Sequence, residues 1–339
     1  MDYKAVTQLF QPDLEKVEYA LRDNYLSDIP IVPGIGDYIL SSGGKRIRPM
    51  LLLISSRLCG LELNDTIIKH CCVIENVHAA TLLHDDVVDE TTVRRGRQTV
   101  NSKWGNDASI LVGDYLIAQS LTLLADNVHP EIFKAFSRAA KYLVEGGLLE
   151  FSNARDIQVT EKHCLDVIYR KTASMMSLSC QLGALIAKAE TDQEEALIAF
   201  GDHFGMAFQI MDDLMDYDAK PESLGKPPGT DFKEGHVTLP LHHLYHHSKN
   251  GLRKEIEGFI KNDKLTDKEL EYIVDRMRGG QSLEYTYQLA RKHMDRAKSA
   301  IRSTTFAAPK YKDALLAVAD YIISRHTPTQ SSLANITRY

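Results

Sequence analysis

Asp85-Asp86-Val87-Val88-Asp89 closes the apolar run Ala79-Ala80-Thr81-Leu82-Leu83-His84, and its charge pattern is one that an ordinary helix avoids. On a helix Asp85 and Asp89 lie one turn apart with Asp86 beside them. Like charges at that spacing destabilise a helix by roughly 0.2–0.5 kcal/mol per pair. Thr91-Thr92 and Gly96 end the helical pattern soon after, so the carboxylates fall near a C-terminus, where the macrodipole favours cations over anions. A solvated acidic face is the ordinary reading of one such cluster. The pattern returns, however, in Asp212-Asp213-Leu214-Met215-Asp216, behind a second apolar approach, Phe204-Gly205-Met206-Ala207-Phe208. Two copies with acids at relative positions one, two and five point to a site for divalent metal. Oxygen donors without Cys or His suit Mg²⁺, which keeps several waters and is held by a few carboxylates together with substrate phosphates. The motif therefore predicts a phosphorylated substrate.

Cations flank the first cluster on both sides. Upstream, Ser41-Ser42-Gly43-Gly44-Lys45-Arg46-Ile47-Arg48-Pro49 precedes the apolar body of a helix, Met50 to Leu58. Lys45, Arg46 and Arg48 at a helix N-terminus repel its partial positive charge unless an anion is bound there; a solvated basic turn is the alternative. Downstream comes Thr91-Thr92-Val93-Arg94-Arg95-Gly96-Arg97, whose guanidiniums either pair with the neighbouring acids or fork onto phosphate oxygens. His78 lies on the Asp85 face two turns earlier; alone it reads as a satisfied core histidine.

The rest of the chain reads as helices. Apolar residues at helical spacing mark a lead-in helix from Leu9 to Leu26, within residues 1–30, and Pro30 and Pro33-Gly34 then break the pattern. Further helices are expected at 66–89, from Gly113 to Leu124, from Pro130 to Leu149, around Lys171-Thr172, and from Glu194 to Asp216, where Gln209 precedes the second acidic cluster by about one turn. Leu224 to Gly235, rich in Gly and Pro, is the strongest break and a lid candidate. His242, His243, His246 and His247 form i,i+4 pairs that read as a surface face rather than a zinc site. Helices continue from Leu265 to Arg325, and the tail over 327–339 is expected to fray. No stretch shows sustained β alternation and no fixed-period repeat is visible, so the chain is expected to be an all-α bundle in one domain, 1–339. In such a bundle two helices can project their acids toward each other across a central cavity.

With 339 residues, 44% of them hydrophobic, there is ample core material, and a net charge of −6 gives no blanket attraction to nucleic acid or anionic lipid. Cys59, Cys71, Cys72, Cys164 and Cys180 are odd in number and without metal-ligand spacing, and read as thiols of a reducing compartment. No secretory leader or uninterrupted apolar run of membrane-spanning length is seen, and a cytoplasmic protein without a transmembrane segment is expected.

Gly43 to Pro49, the two aspartate motifs, Arg94-Arg95-Gly96, Lys171-Thr172 and Gly225-Lys226, in this order and spacing, resemble the trans-polyprenyl diphosphate synthases over nearly the whole chain. The context His78 to Asp86 is most similar to bacterial long-chain members, those making octaprenyl chains above all. The resemblance implies an isoprenoid synthase-type helical bundle acting as a homodimer. It implies that Asp85, Asp86, Asp89, Asp212, Asp213 and Asp216 hold three Mg²⁺ ions on an allylic diphosphate such as farnesyl diphosphate, helped by Arg94, Lys171 and Lys226. Isopentenyl diphosphate would occupy Lys45, Arg48, His78 and Arg95, and Thr172 and Gln209 would stabilise an allylic cation. A product of roughly C40, destined for quinone side chains, follows from the resemblance alone.

Two departures stand out. Gly147 follows Glu145-Gly146 where many relatives carry Glu or Gln, with Glu150 further along, and His236 follows Glu234-Gly235 where relatives commonly carry Lys. The second puts one phosphate contact in doubt, because histidine changes charge between pH 5 and 8. A product anchored at the metals grows along the helix that ends in Asp85, and Ala80 and Thr81, five and four residues earlier, are small enough to leave that path open. Phe133 and Phe136 are candidates for its floor. A shorter-chain synthase, a terpene cyclase and a non-catalytic subunit of a heteromeric synthase are the rivals. A cyclase needs no second diphosphate pocket, and a non-catalytic subunit would be expected to have eroded aspartate motifs.

Overall fold

The computed structural model describes residues 1–126, 129–218, 229–261 and 265–325, and they are almost entirely helical. The described residues form two compact units: those within 1–139, 175–201 and 299–318 make one, and those within 140–174, 202–298 and 319–325 the other.

In the first unit, α1 (Tyr3–Asp23) buries Val6, Phe10, Val17 and Leu21 at helical spacing, and the Asp2 side chain caps its start by accepting from Ala5 N at 2.8 Å. Pro33 does not break the chain as its type suggests: α2 (Ile31–Ser41) takes it into its first turn, where a missing N–H goes unnoticed. The helix α3 (Ile47–Leu58) is buried nearly all round, with Met50 through Ile54 at most 1% exposed. Each such side chain contributes about 1.5–3 kcal/mol by leaving water. Beside them, the Arg57 guanidinium meets Asp13 at 2.5 Å and the Tyr311 hydroxyl at 3.3 Å.

The helix that carries the first acidic motif, α4 (Asp65–Val88), starts at an Asn64 cap and stops at Asp89. It packs most extensively on α6 (Asn106–Ala125), which begins earlier than its apolar pattern suggests. Small residues make that packing close. The Ser109 hydroxyl donates to Leu83 O at 2.8 Å, and a Cβ on Gly113 would fall 2.2 Å from the His84 ring. Between them lie the short α5 (Val100–Trp104) and a minimal antiparallel hairpin, β1 (Val93–Arg94) with β2 (Arg97–Gln98), the sole strands among the described residues. By length and composition α6 is apolar enough to cross a membrane, and only 33% of that window is buried; Ile110, Leu111, Ile117 and Leu121 face outward.

The second unit is built around the C-terminal part of α10 (Thr191–Asp218), where Phe204, Ala207, Ile210, Met211 and Leu214 are fully buried. It includes the end of α7 (Pro130–Ser152), α8 (Glu161–Ile168), and a π-helical turn, Tyr169–Ala173, leading into α9 (Ser174–Ile186). Next come α11 (Thr230–Glu234), α12 (Leu239–His247), α13 (Asn250–Ile260), α14 (Asp267–Gly279) and α15 (Ser282–Ser303). The last helix is α16 (Lys312–Ser324). The histidine face of α12 meets the surface expectation only in part: His246 and His247 are exposed, but His242 is buried, and the His243 ring stacks on Tyr285 at 4.4 Å while bonding Ser282 Oγ at 3.0 Å. Phe133 departs from expectation in the other direction, since it is 48% exposed and no deep floor, whereas Phe136 is buried.

Candidate active site

The first unit holds the first aspartate motif and both basic turns. Asp85 and Asp89 are half-buried and Asp86 is buried. Asp86 Oδ1 accepts from Arg94 Nε at 2.9 Å and Nη2 at 2.8 Å, while its backbone carbonyl accepts from Asn101 Nδ2 at 2.9 Å and Thr91 N at 3.0 Å. The helix end is thus finished by donors rather than left to solvent. Burial raises the Asp86 carboxyl above its ordinary value, and Arg94 opposes this only in part. Arg94 therefore pairs with the acids, one of the two roles open to it from sequence.

The hairpin aims the next guanidinium. Arg95 and Gly96 form its two-residue turn with φ of 53° and 73°, both positive as a type I′ turn requires. From there Arg95 Nη1 donates to Gly43 O. The three upstream cations do not behave alike. Arg46, at φ 46°, forms ion pairs with Glu18 and Glu75, and these outweigh burial to strengthen its charge. It is a structural residue, so the anion demand inferred for all three cations at this turn does not extend to Arg46. Arg48 is different: its Nε has no hydrogen-bond partner among the described residues, and burial lowers its proton affinity with Glu75 opposing. His78 is held well below the ordinary histidine value by burial and by Arg48, Arg95, Arg46 and Arg94, and so is neutral. Lys45 is exposed. Ala80, fully buried, and Thr81, half-buried with its hydroxyl donating to His78 O at 2.9 Å, lie on the same helix.

In the second unit a chain of hydrogen bonds links three of the expected residues. Thr172 Oγ1 donates to Gln209 Oε1 at 2.8 Å, and Gln209 Nε2 donates to Asp213 Oδ1 at 2.9 Å. Lys171, next in the π turn, forms an ion pair with Glu150. Asp216 accepts from Asp231 N at 3.1 Å through Oδ2 and from Gly229 N at 2.7 Å through its carbonyl. Burial, and then the Asp231 carboxylate, push the Asp213 carboxyl well above the usual range. His236 N donates to Asp231 O at 2.8 Å, and its Nδ1 stands 3.9 Å from Glu234. Lys226 and the first part of the lid candidate, 224–228, lie outside the described residues, and the rest of it, from Gly229, leads into α11.

Two residues of this half were not singled out from sequence. Asp231 was within reach, since Thr230-Asp231 follows the Gly/Pro loop. Arg325, whose Nη2 is 3.7 Å from Asp212 Oδ1, carries no signal in a sequence where more than a hundred residues separate the pair.

The donor set fits a hard divalent cation. The donors are carboxylate oxygens, the ligand type of an ion that keeps water and shares phosphate oxygens. The buried Asp213, destabilised as an anion by Asp231, is a carboxylate that a cation would relieve.

A family model described as polyprenyl synthetase matches residues 30–277. The chain belongs to the polyprenyl synthetase family. It is a polyprenyl diphosphate synthase, a prenyltransferase. This synthetase is 35% identical to the octaprenyl diphosphate synthase of Escherichia coli (strain K12) over 325 residues, 96% of this chain and 99% of the relative. Its fold is similar to the crystal structure of a decaprenyl diphosphate synthase from Rhodobacter capsulatus, with a TM-score of 0.89 and 34% identity over 95% of this chain and 99% of that one. It is equally similar to a polyprenyl synthase from Caulobacter crescentus CB15 complexed with calcium and isoprenyl diphosphate: TM-score 0.90 and 32% identity, covering 96% and 98% of the two chains.

Proposed function

We propose that this synthetase condenses isopentenyl diphosphate with an allylic diphosphate, farnesyl diphosphate or similar, into a long all-trans chain of octaprenyl length that feeds quinone side chains. What supports the reading is that the chain carries two complete aspartate triads and, apart from them, the donors Lys45, Arg48, His78 and Arg95. Of these, Arg48 has an unused Nε–H and His78 is neutral, a donor arrangement for a second diphosphate. A cyclase has no use for those donors, and a non-catalytic subunit has no use for both triads.

Asp85, Asp86 and Asp89, and likewise Asp212, Asp213 and Asp216, would hold Mg²⁺, three ions with substrate bound. Bound Mg²⁺ supplies Lewis-acid stabilisation of the departing diphosphate. Arg94, Lys171, Lys226 and His236 add positive charge or hydrogen-bond donors toward the same anion, and Lys171 exchanges Glu150 for a phosphate oxygen to do so. As the allylic C–O bond breaks, the Thr172 and Gln209 oxygens turn their dipoles to the carbocation. Lys45, Arg48, His78 and Arg95 hold isopentenyl diphosphate, whose double bond supplies the electron pair of the new C–C bond. The proton then lost leaves with the released diphosphate, so no separate side-chain base is required.

The outward apolar residues of α6, Ile110, Leu111, Ile117 and Leu121, support a homodimer. The five free cysteines support a reducing, cytoplasmic setting.

The test is Mg²⁺-dependent incorporation of isopentenyl diphosphate into an allylic product by the parent, Asp85→Ala and Asp212→Ala. Both variants are expected to fold and to lose orders of magnitude in turnover. Near-normal turnover of both at saturating Mg²⁺ would overturn the metal assignment.

A further inference from the structure

Lys171 and Thr172 are adjacent in sequence yet reach two different helices, Glu150 on α7 and Gln209 on α10. The turn that carries them is π-helical, Tyr169–Ala173, a wide turn that appears mostly as a single insertion at functional sites. Each helix that receives one of these side chains has a glycine one turn earlier, Gly146 before Glu150 and Gly205 before Gln209. Both glycines touch the π turn. A Cβ on Gly146 would lie 2.8 Å from Lys171 N and 2.9 Å from Arg170 Cβ. A Cβ on Gly205 would lie 2.4 Å from Ala173 Cα and 2.9 Å from Ala173 Cβ. Glycine inside a helix is unfavourable relative to alanine, so glycines at these two places need a reason. Gly147 offers the contrast, since a Cβ there meets nothing within 4 Å.

The same stretch of α7 fastens the residues before the turn. Glu145 forms an ion pair with Arg170, and the Arg170 guanidinium lies 5.2 Å from the Tyr142 ring centroid, which in turn meets Tyr169 at 5.9 Å. The π turn is therefore tied on one side by α7 and seated on the other against α10, with its backbone in contact at both.

We propose that Gly146 and Gly205 are positioning residues, which let two helices close on the π turn so that Lys171 and Thr172 meet Glu150 and Gln209 in register for the allylic diphosphate and the carbocation. The inference rests on the prenyltransfer reading above and adds to it two backbone seats that carry no chemistry of their own. Adding a methyl group at either seat pushes the turn outward on the order of 1 Å, a displacement that can cost catalysis about a hundredfold.

The experiment compares Gly146→Ala, Gly205→Ala and Gly147→Ala in the full chain, once the parent has been shown to elongate an allylic diphosphate; a parent that does not elongate refutes the functional reading itself. Gly146→Ala and Gly205→Ala are expected to unfold cooperatively and to lose at least about tenfold in kcat. Their KM for isopentenyl diphosphate should stay near the parent's, because its assigned residues belong to the other unit. Gly147→Ala is expected to match the parent. A readout independent of turnover is the rise in melting temperature that Mg²⁺ with inorganic pyrophosphate gives, expected to shrink in Gly146→Ala and to persist in Gly147→Ala. A double-mutant cycle decides the route of action: Gly146→Ala should add little to Lys171→Met, and Gly205→Ala little to Thr172→Val. Additive losses, parent-like kcat in both variants, or loss of cooperative unfolding in both would contradict the proposal, since the glycines would then pack the unit rather than aim the turn.

Discussion

At the scale of single residues, most of the candidate site consists of charges whose neighbours decide their role. Arg46 and Arg48 are two positions apart in one basic turn. Arg46 is satisfied by Glu18 and Glu75, whereas Arg48 keeps an N–H unused. No spacing rule separates them, because Glu18 comes from α1, far away in sequence. His78 is a similar case: its place on the Asp85 face was legible from periodicity, but its neutrality comes from burial and four arginines. That neutrality carries a stability consequence with a definite sign. The folded chain binds the His78 proton more weakly than the unfolded chain, so the contribution of His78 is full above the ordinary histidine value near 6.5 and is lost as pH falls below it. His78→Gln should therefore lose less stability than the parent as pH falls from 7.5 to 5.5. Denaturant unfolding at the two values checks this, and equal losses in the two proteins would count against a neutral His78.

At the scale of elements, helix limits follow from sequence where a local signal marks them and depart from it where packing sets them. The C-terminal end of α4 is legible because the acids crowd it, while the Asn64 cap at its start emerges only in the structure. Pro33 was misleading because proline fits a first helical turn as readily as it ends a helix. The π turn at Lys171 was invisible, since its cause lies in contacts with α7 and α10 rather than in its own residues. The face of α4 also separates the two small residues before Asp85. At 100° per residue Thr81 is 40° from Asp85 and Ala80 is 140° away, and Ala80 is fully buried whereas Thr81 keeps some surface. On the proposed path of chain growth, Thr81→Phe should shorten the product. Ala80→Phe should instead overpack α4 and destabilise the fold by about 1–3 kcal/mol. Product sizing together with thermal unfolding of both variants tests this assignment. Full-length product from a stable, active Thr81→Phe enzyme would exclude Thr81 from the path.

For the whole molecule, the all-helical class followed from the absence of β alternation, and the family from motifs whose order no local rule explains. What the sequence left hidden were pairings between remote segments, such as Arg325 with Asp212. Chain length belongs to this scale as well, since an octaprenyl and a decaprenyl synthase are similar to this chain to nearly the same degree. Head-to-tail elongation on an allylic diphosphate is read out by the mass spectrum of the product. With Mg²⁺, farnesyl diphosphate and excess isopentenyl diphosphate, a ladder of linear prenyl diphosphates spaced by one five-carbon unit and accumulating near C40 is expected. A cyclic hydrocarbon from farnesyl diphosphate alone, or unreacted substrates, would contradict it.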